Sequence, residues 1–347
     1  MPALFNNSHS GSTPMSINEP IDIVYTWVDG KNPVFRQEQC HCLTEHPGRP
    51  SEITSPKLFH DNQELRFSLR SMETFAPWVR KVFLVTNGQP PPSWIRKDHP
   101  KLNLVTHRDI FPDPDCLPTF NSNAIELNLH RIKGLSRRFL YFNDDVFLGR
   151  PITPRDFLTS SGGQVFHVDD IPLHQDPERG PVHDRAYAYT LKIACTYGSC
   201  DRNTRLPSHS PQLYDRRLLD RLENRFRIHF DEGRSHRLRH PRDLVIRLLY
   251  VAQLLESEEP ISRHQIRELP WHSKDYRFIM LKSGVLPIRD LIALRTEMPK
   301  FFCINNDLNG TLVDRITLKL VRYTLQRMFP RPSTFEAKPA TRYPALA

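Results

Sequence analysis

The chain has 347 residues, 38% of them hydrophobic, and 48 Lys and Arg outnumber 39 Asp and Glu for a formal charge of +9. That length supports the buried core of one large domain, and the basic balance favours anionic partners. The positive charge is dispersed, which argues against a nucleic-acid partner; no apolar run approaches the roughly 20 residues that cross a bilayer, and no basic start with an apolar run marks a signal segment.

Residues 1–19 are polar and rich in Pro, Ser and Asn, the composition of a disordered terminus. Residues 21–28 are β-branched and aromatic and end at Asp29-Gly30, a strand running into a turn. The polar stretch 31–60 reads as a loop over the active face. Its Cys40-His41-Cys42, with His46, lacks the second ligand pair of a zinc site, and the six cysteines fit no disulfide framework, so reduced thiols are expected. Residues 61–75 carry Leu65, Leu69 and Met72 at helical spacing behind a capping Asp61. Residues 82–85, ending at Thr86-Asn87-Gly88, and 102–105 are further strands. A helix follows at 121–130, then a strand at 138–142 that ends at Asn143-Asp144-Asp145. Beyond a strand at 165–168 and a loop at 171–185, helices are expected near 186–196, 211–226, 241–257, 288–297 and 312–328, before a loose Pro-rich tail. This alternation predicts an α/β fold, a mostly parallel sheet flanked by helices, with a helical portion over about 186–298. The polar clusters fall at the carboxyl ends of the strands, where open α/β sheets bind ligands.

Several residues there can carry chemistry. Asp144 and Asp145 repel each other when both are ionised, and a divalent cation relieves that repulsion while bridging to substrate phosphates. Asp29 has a similar setting, although Asp-Gly is also a common turn. Arg66 and Arg70, four apart on one helix, can face a phosphate or pair with Glu64 or Glu73. Asn121, Ser122, Asn123 and Glu126 at a helix start suit an anion or a sugar, or simple capping. His209 precedes a helix, a place where histidines are usually structural.

Taken together, these segments resemble the Stealth family. IDIVYTWVDG at 21–30 is similar to its first conserved block, and 61–94 with 99–157 to its second. Residues 208–222 and 235–244 are similar to the third, and KFFCINNDL at 300–308 to the fourth. The family holds bacterial capsule and exopolysaccharide phosphotransferases and the catalytic part of the animal enzyme that puts GlcNAc-1-phosphate on lysosomal glycoproteins. The resemblance implies a glycosyltransferase-like fold of GT-A/Rossmann type and a divalent cation, Mg²⁺ or Mn²⁺. It also implies transfer of a hexose-1-phosphate from a UDP-sugar such as UDP-GlcNAc to a saccharide hydroxyl, releasing UMP, in capsular or extracellular polysaccharide synthesis.

Carried over position by position, Asp29 lies near nucleotide or metal. Asp61, Asn62, Glu64, Arg66 and Arg70, then Asn121, Asn123, Glu126 and Asn143, bind substrate, and Asp144 and Asp145 hold the metal. His209 and Arg239 match the third block, with His209 the first choice of general base and Asp29 or Asp145 the alternative. Asn305 matches the fourth block; the family often has Asp next, where this chain has Asn306. The catalytic domain is then 20–308, followed by an amphipathic helix and tail at 309–347. In that helix Leu312, Ile316, Leu320, Tyr323 and Met328 interleave with Arg315, Lys319, Arg322 and Arg327. Such a helix either lies on a membrane surface or packs on the domain with its basic face in water. The expected location is cytoplasmic, with a peripheral contact on the inner face of the membrane. Two other readings stay open: a metal-dependent glycosyltransferase releasing UDP, and a non-catalytic binder of anionic polysaccharide. The density of acids, His and Arg at strand ends argues against the second.

Overall fold

The computed structural model describes residues 19–45, 61–198, 205–256 and 264–337. Its centre is a sheet in the order β3-β2-β1-β4-β8, built from β1 (Ile21–Thr26), β2 (Val82–Thr86), β3 (Leu102–Thr106), β4 (Arg138–Asn143) and β8 (Gln212–Asp215). The first four strands are parallel, and β8 runs antiparallel to β4. The mostly parallel α/β sheet read from the sequence is therefore present. Successive residues of β1 feed opposite sides of the sheet: Ile21, Ile23 and Tyr25 join one core cluster and Val24 the other. A strand buried on both faces is apolar throughout, and this is why residues 21–28 show no polar alternation. The chain steps outward from β1 through β2 to β3, then returns to lay β4 on the other side of β1. The strand order thus reverses between β1 and β4, the place where ligand crevices form.

Two small sheets flank this one. The order β10-β11-β5 joins β5 (Val146–Leu148), β10 (Tyr276–Lys282) and β11 (Phe301–Asp307). The order β7-β6-β9 joins β6 (Val165–Pro172), β7 (Arg205–Pro207) and β9 (Gln265–Glu268). The longer helices are α1 (Pro33–Glu45), α2 (Glu64–Phe75), α4 (Val182–Tyr197), α5 (Arg216–Arg225), α6 (Arg227–Ser235), α7 (Ile246–Glu256), α8 (Ile288–Glu297) and α9 (Leu312–Met328), with the short α3 at Ser122–Glu126.

Several expectations are corrected. The stretch after Asp29 is no simple loop: Asn32 Oδ1 accepts from the Val34 and Phe35 N–H groups at 2.9 and 3.2 Å and starts α1, with Pro33 at the first helical position, which its fixed φ suits. On that helix Cys42 is buried and Cys40 exposed, so the two face apart and cannot share a metal. Cys195, at the end of α4, is disulfide-bonded, against the expectation of reduced thiols. The α2 helix is entered through Gln63 in the left-handed region (φ 68°) with no side-chain cap; Asp61 instead accepts from the Gln63 N–H at 2.7 Å. Residues 212–215 are strand rather than helix, because they complete the edge of β4.

The last helix packs on the domain. Val321, Leu325 and Phe329 share a core cluster with Phe67 of α2 and Phe302 of β11, so packing shows no break at 308. The segment after it is held as far as residue 337: Phe335 is buried and its ring lies 4.0 Å from that of His99. Among the described residues no helix is long and apolar enough to cross a membrane. The expected disordered terminus falls on residues 1–18, outside the described residues, as do His46 and the tail beyond 337.

Candidate active site

A cleft of ≈ 290 Å³ opens at the carboxyl edge of the parallel strands. The residues that end or follow those strands line it: Thr26 and Trp27 at β1, Asn87 at β2, His107 at β3, and Asn143, Asp144 and Asp145 at β4. Asp61 and Glu64 enter from the start of α2, and Asn305 and Asn306 from the end of β11. Gly88, with φ 101°, turns the chain back behind Asn87.

The acid end is built by the turn that carries β4 out of the main sheet into β5. Two serines of α2 fix β5: the Leu148 N–H donates to Ser71 Oγ at 3.1 Å, and Ser68 Oγ donates to the Val146 carbonyl at 2.5 Å. On the other side β11 pairs with β5. Its Ile304 N–H donates to the Asp145 carbonyl at 3.1 Å, and Cys303 Sγ reaches Asp145 Oδ2 at 3.4 Å. Asp145 Oδ1, Asn143 Oδ1 and Asn306 Nδ2 are buried with no hydrogen-bond partner. Buried polar groups are nearly always paired, so three orphans in one cleft point to a missing ligand.

The charges agree with that inference. Burial, then the neighbouring Asp145 and Asp61 charges, hold the Asp144 carboxyl well above its usual range. Burial, with Asp144 and Asp61, does the same to Glu64, and burial pushes Asp145 up to about 6. Carboxyls raised in this way hold their protons unless positive charge is brought to them.

The opposite end is apolar and basic. Phe35, brought in by α1, lies 5.1 Å from Phe120 ring to ring, and Trp27, Val28 and Ile125 extend this wall. Arg239 projects into the cleft and donates to Ser122 Oγ at 3.3 Å. Its loop is held by Asp243, which is buried and was not anticipated. Asp243 Oδ2 accepts from Asn121 Nδ2 at 2.9 Å, Asn123 Nδ2 at 3.1 Å and the His240 N–H at 3.0 Å, and its Oδ1 meets His236 Nδ1 at 2.9 Å. Beneath the cleft Tyr141 donates to Glu126 Oε1 at 3.0 Å, and the buried Arg247 guanidinium lies 5.9 Å from the Tyr141 ring centre. Arg247 was also missed, because a lone Arg in the apolar run of α7 reads as an interruption.

Of the residues singled out in the sequence, Asp61, Glu64, Ser122, Asn143, Asp144, Asp145, Arg239 and Asn305 come together on the cleft wall. The others do not. Arg66 and Arg70 point away: both are bound by Glu336, Arg66 Nε to Oε2 at 2.5 Å and Arg70 through Nε at 2.6 Å and Nη2 at 2.8 Å. A phosphate cannot replace so close a carboxylate. Asn62 is buried against α9, donating to the Leu318 carbonyl at 3.3 Å and accepting from Arg322 at 2.8 Å. Asn121 and Asn123 are spent on Asp243 and Glu126 on Tyr141, so these three support the wall instead of forming it. Asp29 closes its own turn, accepting from the Lys31 N–H at 2.9 Å. His209 sits behind the wall with its ring 5.2 Å from Phe278. Burial, then Arg247, His183 and Arg239, push it down to about 3.

Comparison with known proteins agrees with the second, third and fourth sequence blocks. Residues 58–166 match Stealth protein CR2, conserved region 2, residues 208–252 match conserved region 3, and residues 293–347 match conserved region 4. An exopolysaccharide phosphotransferase of Streptomyces coelicolor is 37% identical over 338 residues, 94% of this chain and 54% of that protein. The human N-acetylglucosamine-1-phosphotransferase subunits alpha/beta are 53% identical over 153 residues, 44% of this chain and 12% of that protein. The chain thus spans about half the length of the Streptomyces relative and a small part of the human one. Among solved structures, the galactosyltransferase LgtC is 11% identical with a TM-score of 0.43, over 90% of this chain and 97% of that one. The matched regions bring together the two walls of the cleft, region 2 supplying the acid turn and region 3 Arg239, and the chain belongs to the Stealth family.

Proposed function

We propose that this chain transfers a hexose-1-phosphate from a UDP-sugar to a saccharide hydroxyl, releasing UMP, in the synthesis of a capsular or extracellular polysaccharide. The observation that carries the reading is the pairing, in one cleft, of an acid end with unpartnered oxygens and an aromatic, Arg-bearing end. A nucleotide-sugar has the matching polarity. Its planar base suits the wall of Phe35, Phe120 and Trp27, and its diphosphate belongs between Arg239 and a cation at the acids. The names of the relatives, exopolysaccharide phosphotransferase and N-acetylglucosamine-1-phosphotransferase, support the same class of reaction.

The donor set fits a hard divalent cation, Mg²⁺ or Mn²⁺. Asp144 and Asp145 supply carboxylates, and the orphaned Asn143 and Asp145 oxygens need a partner; oxygen-only sets select such ions. Among the described residues no group of three His, Cys, Asp or Glu forms a closed metal site, so substrate phosphates would complete the shell, as is usual for Mg²⁺. A bound cation would supply positive charge to the phosphoryl oxygens. The chain's own residues do the rest. Arg239 neutralises and orients the phosphate, Asn305 offers a carboxamide beside it, and the aromatic wall excludes water from the base. In phosphoryl transfer such positioning and electrostatics account for most of the rate. A titration tests this: UDP should bind far more tightly with Mn²⁺ than with chelator, quenching Trp27 fluorescence. Equal affinity in both would remove the cation from the reading.

His209 remains our proposed proton acceptor, although its lowered pKa makes it a poor base by itself. Its depression comes first from burial and then partly from the Arg247 and Arg239 guanidiniums, and the donor's phosphates would offset their field and raise the ring toward its ordinary value. His209→Ala should therefore lower kcat by about 100-fold and change KM little. The acid limb of kcat should also lie at higher pH than that of kcat/KM, since the first reports the bound complex. An unchanged kcat would place the base elsewhere.

A further inference from the structure

The C-terminal helices carry a surface that the reaction does not use. One face of α9 is buried through Thr317, Val321 and Leu325, while on the opposite face Leu312 is 73% exposed, Ile316 43% and Tyr323 59%. Beside it, Val285, Leu286, Ile288 and Ile292 of α8 and its entry loop are also exposed. Hydrogen bonds from the buried side of α9 tie the entry loop of α8 to it. Asp314 of α9 accepts from Ser283 Oγ at 2.7 Å and the Gly284 N–H at 2.9 Å, and Thr317 Oγ1 donates to the Val285 carbonyl at 3.3 Å. Isolated exposed apolar residues are ordinary, but a contiguous set marks a contact surface.

The charge on this surface has one sign. Arg289, Arg295, Arg315, Lys319, Arg322 and Arg327 are exposed along the two helices. The acids of α8 are drawn off by Arg277 of the small sheet, which meets Asp290 at 3.5 Å and Glu297 at 2.6 Å, and Asp314 is buried. We propose that this face docks on an anionic lipid surface, its apolar side chains entering the acyl boundary and its cations meeting the headgroups. The sequence suggested a membrane role for α9 through Leu320 and Met328 as well, but these pack against the core. The surface is shared with α8, which the sequence did not indicate. A second copy of the chain is a poor occupant. A two-fold contact sets a patch against itself, so the cations would face one another.

The test uses the full chain and flotation with vesicles of phosphatidylcholine alone or mixed equally with phosphatidylglycerol. Binding to the mixed vesicles only, weakening as salt rises, is expected. Ile292→Asp with Ile316→Asp should weaken it by about tenfold or more while nucleotide release with a short soluble acceptor is unchanged. Arg315→Glu with Lys319→Glu, which alters only exposed positions, should weaken it similarly and guards against misfolding of the first variant. Equal binding to both vesicle types, no binding to either, or undiminished binding by both variants would overturn the proposal. So would a wild-type dimer in sedimentation that either variant dissociates.

Discussion

Asp145→Asn should abolish most of the transfer activity and, in the absence of cation, make the protein more stable. The two effects have one cause. Asp145 is half-buried, with one oxygen shielded and unpartnered and its carboxyl raised from 3.8 to about 6. A carboxyl raised by folding favours the fold while protonated. The stability it lends is whole below the ordinary value and is lost as pH rises through about 6. At about pH 8 the native state carries the full penalty of an uncompensated buried charge. Replacing the acid by its amide removes a penalty of about 3 kcal/mol there, and the gain should vanish near pH 4. Activity should fall by about 100-fold to 1000-fold, the range seen when one preorganised electrostatic group is removed from a reacting centre. Nucleotide release and thermal unfolding without cation, both across pH, measure the pair of effects. Full activity with an unchanged unfolding temperature would mean that the acid turn is structural.

The second large effect lies far from the cleft. Glu336→Gln should destabilise the fold by about 3–5 kcal/mol, the loss typical of removing one partner of a buried ion pair. Burial alone would raise the Glu336 carboxyl, yet Arg70, the Ser333 N–H and Arg66 outweigh it and hold it low. Arg70, 4% exposed, also donates to the Phe329 carbonyl at 2.9 Å, so this clamp ties α2 to the end of α9 and the segment beyond it. Without Glu336 the guanidinium stays buried and uncompensated. Arg70→Met should be similarly harmful, and the pair Arg70→Met with Glu336→Leu should recover part of the loss. Urea unfolding measures all three. Had Arg66 and Arg70 held substrate phosphate, these changes would alter donor affinity and leave stability alone; that pattern would contradict the clamp.

The clamp also shows where sequence reading stops. The parallel strands β1, β2 and β4 were legible because each is buried on both faces and ends in polar residues, as in the run from Phe139 to Asp145. The acids and Asn143 were legible because they follow directly from that run. Arg66 and Arg70 offered a correct local geometry, four apart on one helix, but their partner lies 266 residues beyond Arg70. No local pattern can choose between a phosphate and so distant a carboxylate. Asn121 and Asn123 were legible as a helix start, yet Asp243, which claims both amides, comes from another loop 122 residues beyond Asn121. The α1 helix was missed although Asn32-Pro33 is a cap followed by a favoured first residue. Polar composition outweighed that signal, and with it went Phe35, one side of the aromatic wall. The β8 strand has only four residues, and what makes it a strand is the sheet edge it completes.

Transfer of the phosphate itself is the central claim, and one labelled substrate tests it. A UDP-sugar carrying labelled phosphorus next to the sugar is incubated with Mn²⁺, the protein and a saccharide acceptor. The account predicts that the label moves into the saccharide and unlabelled UMP accumulates. Label retained in the nucleotide as UDP, with the sugar alone on the acceptor, would contradict it and make the chain a glycosyltransferase.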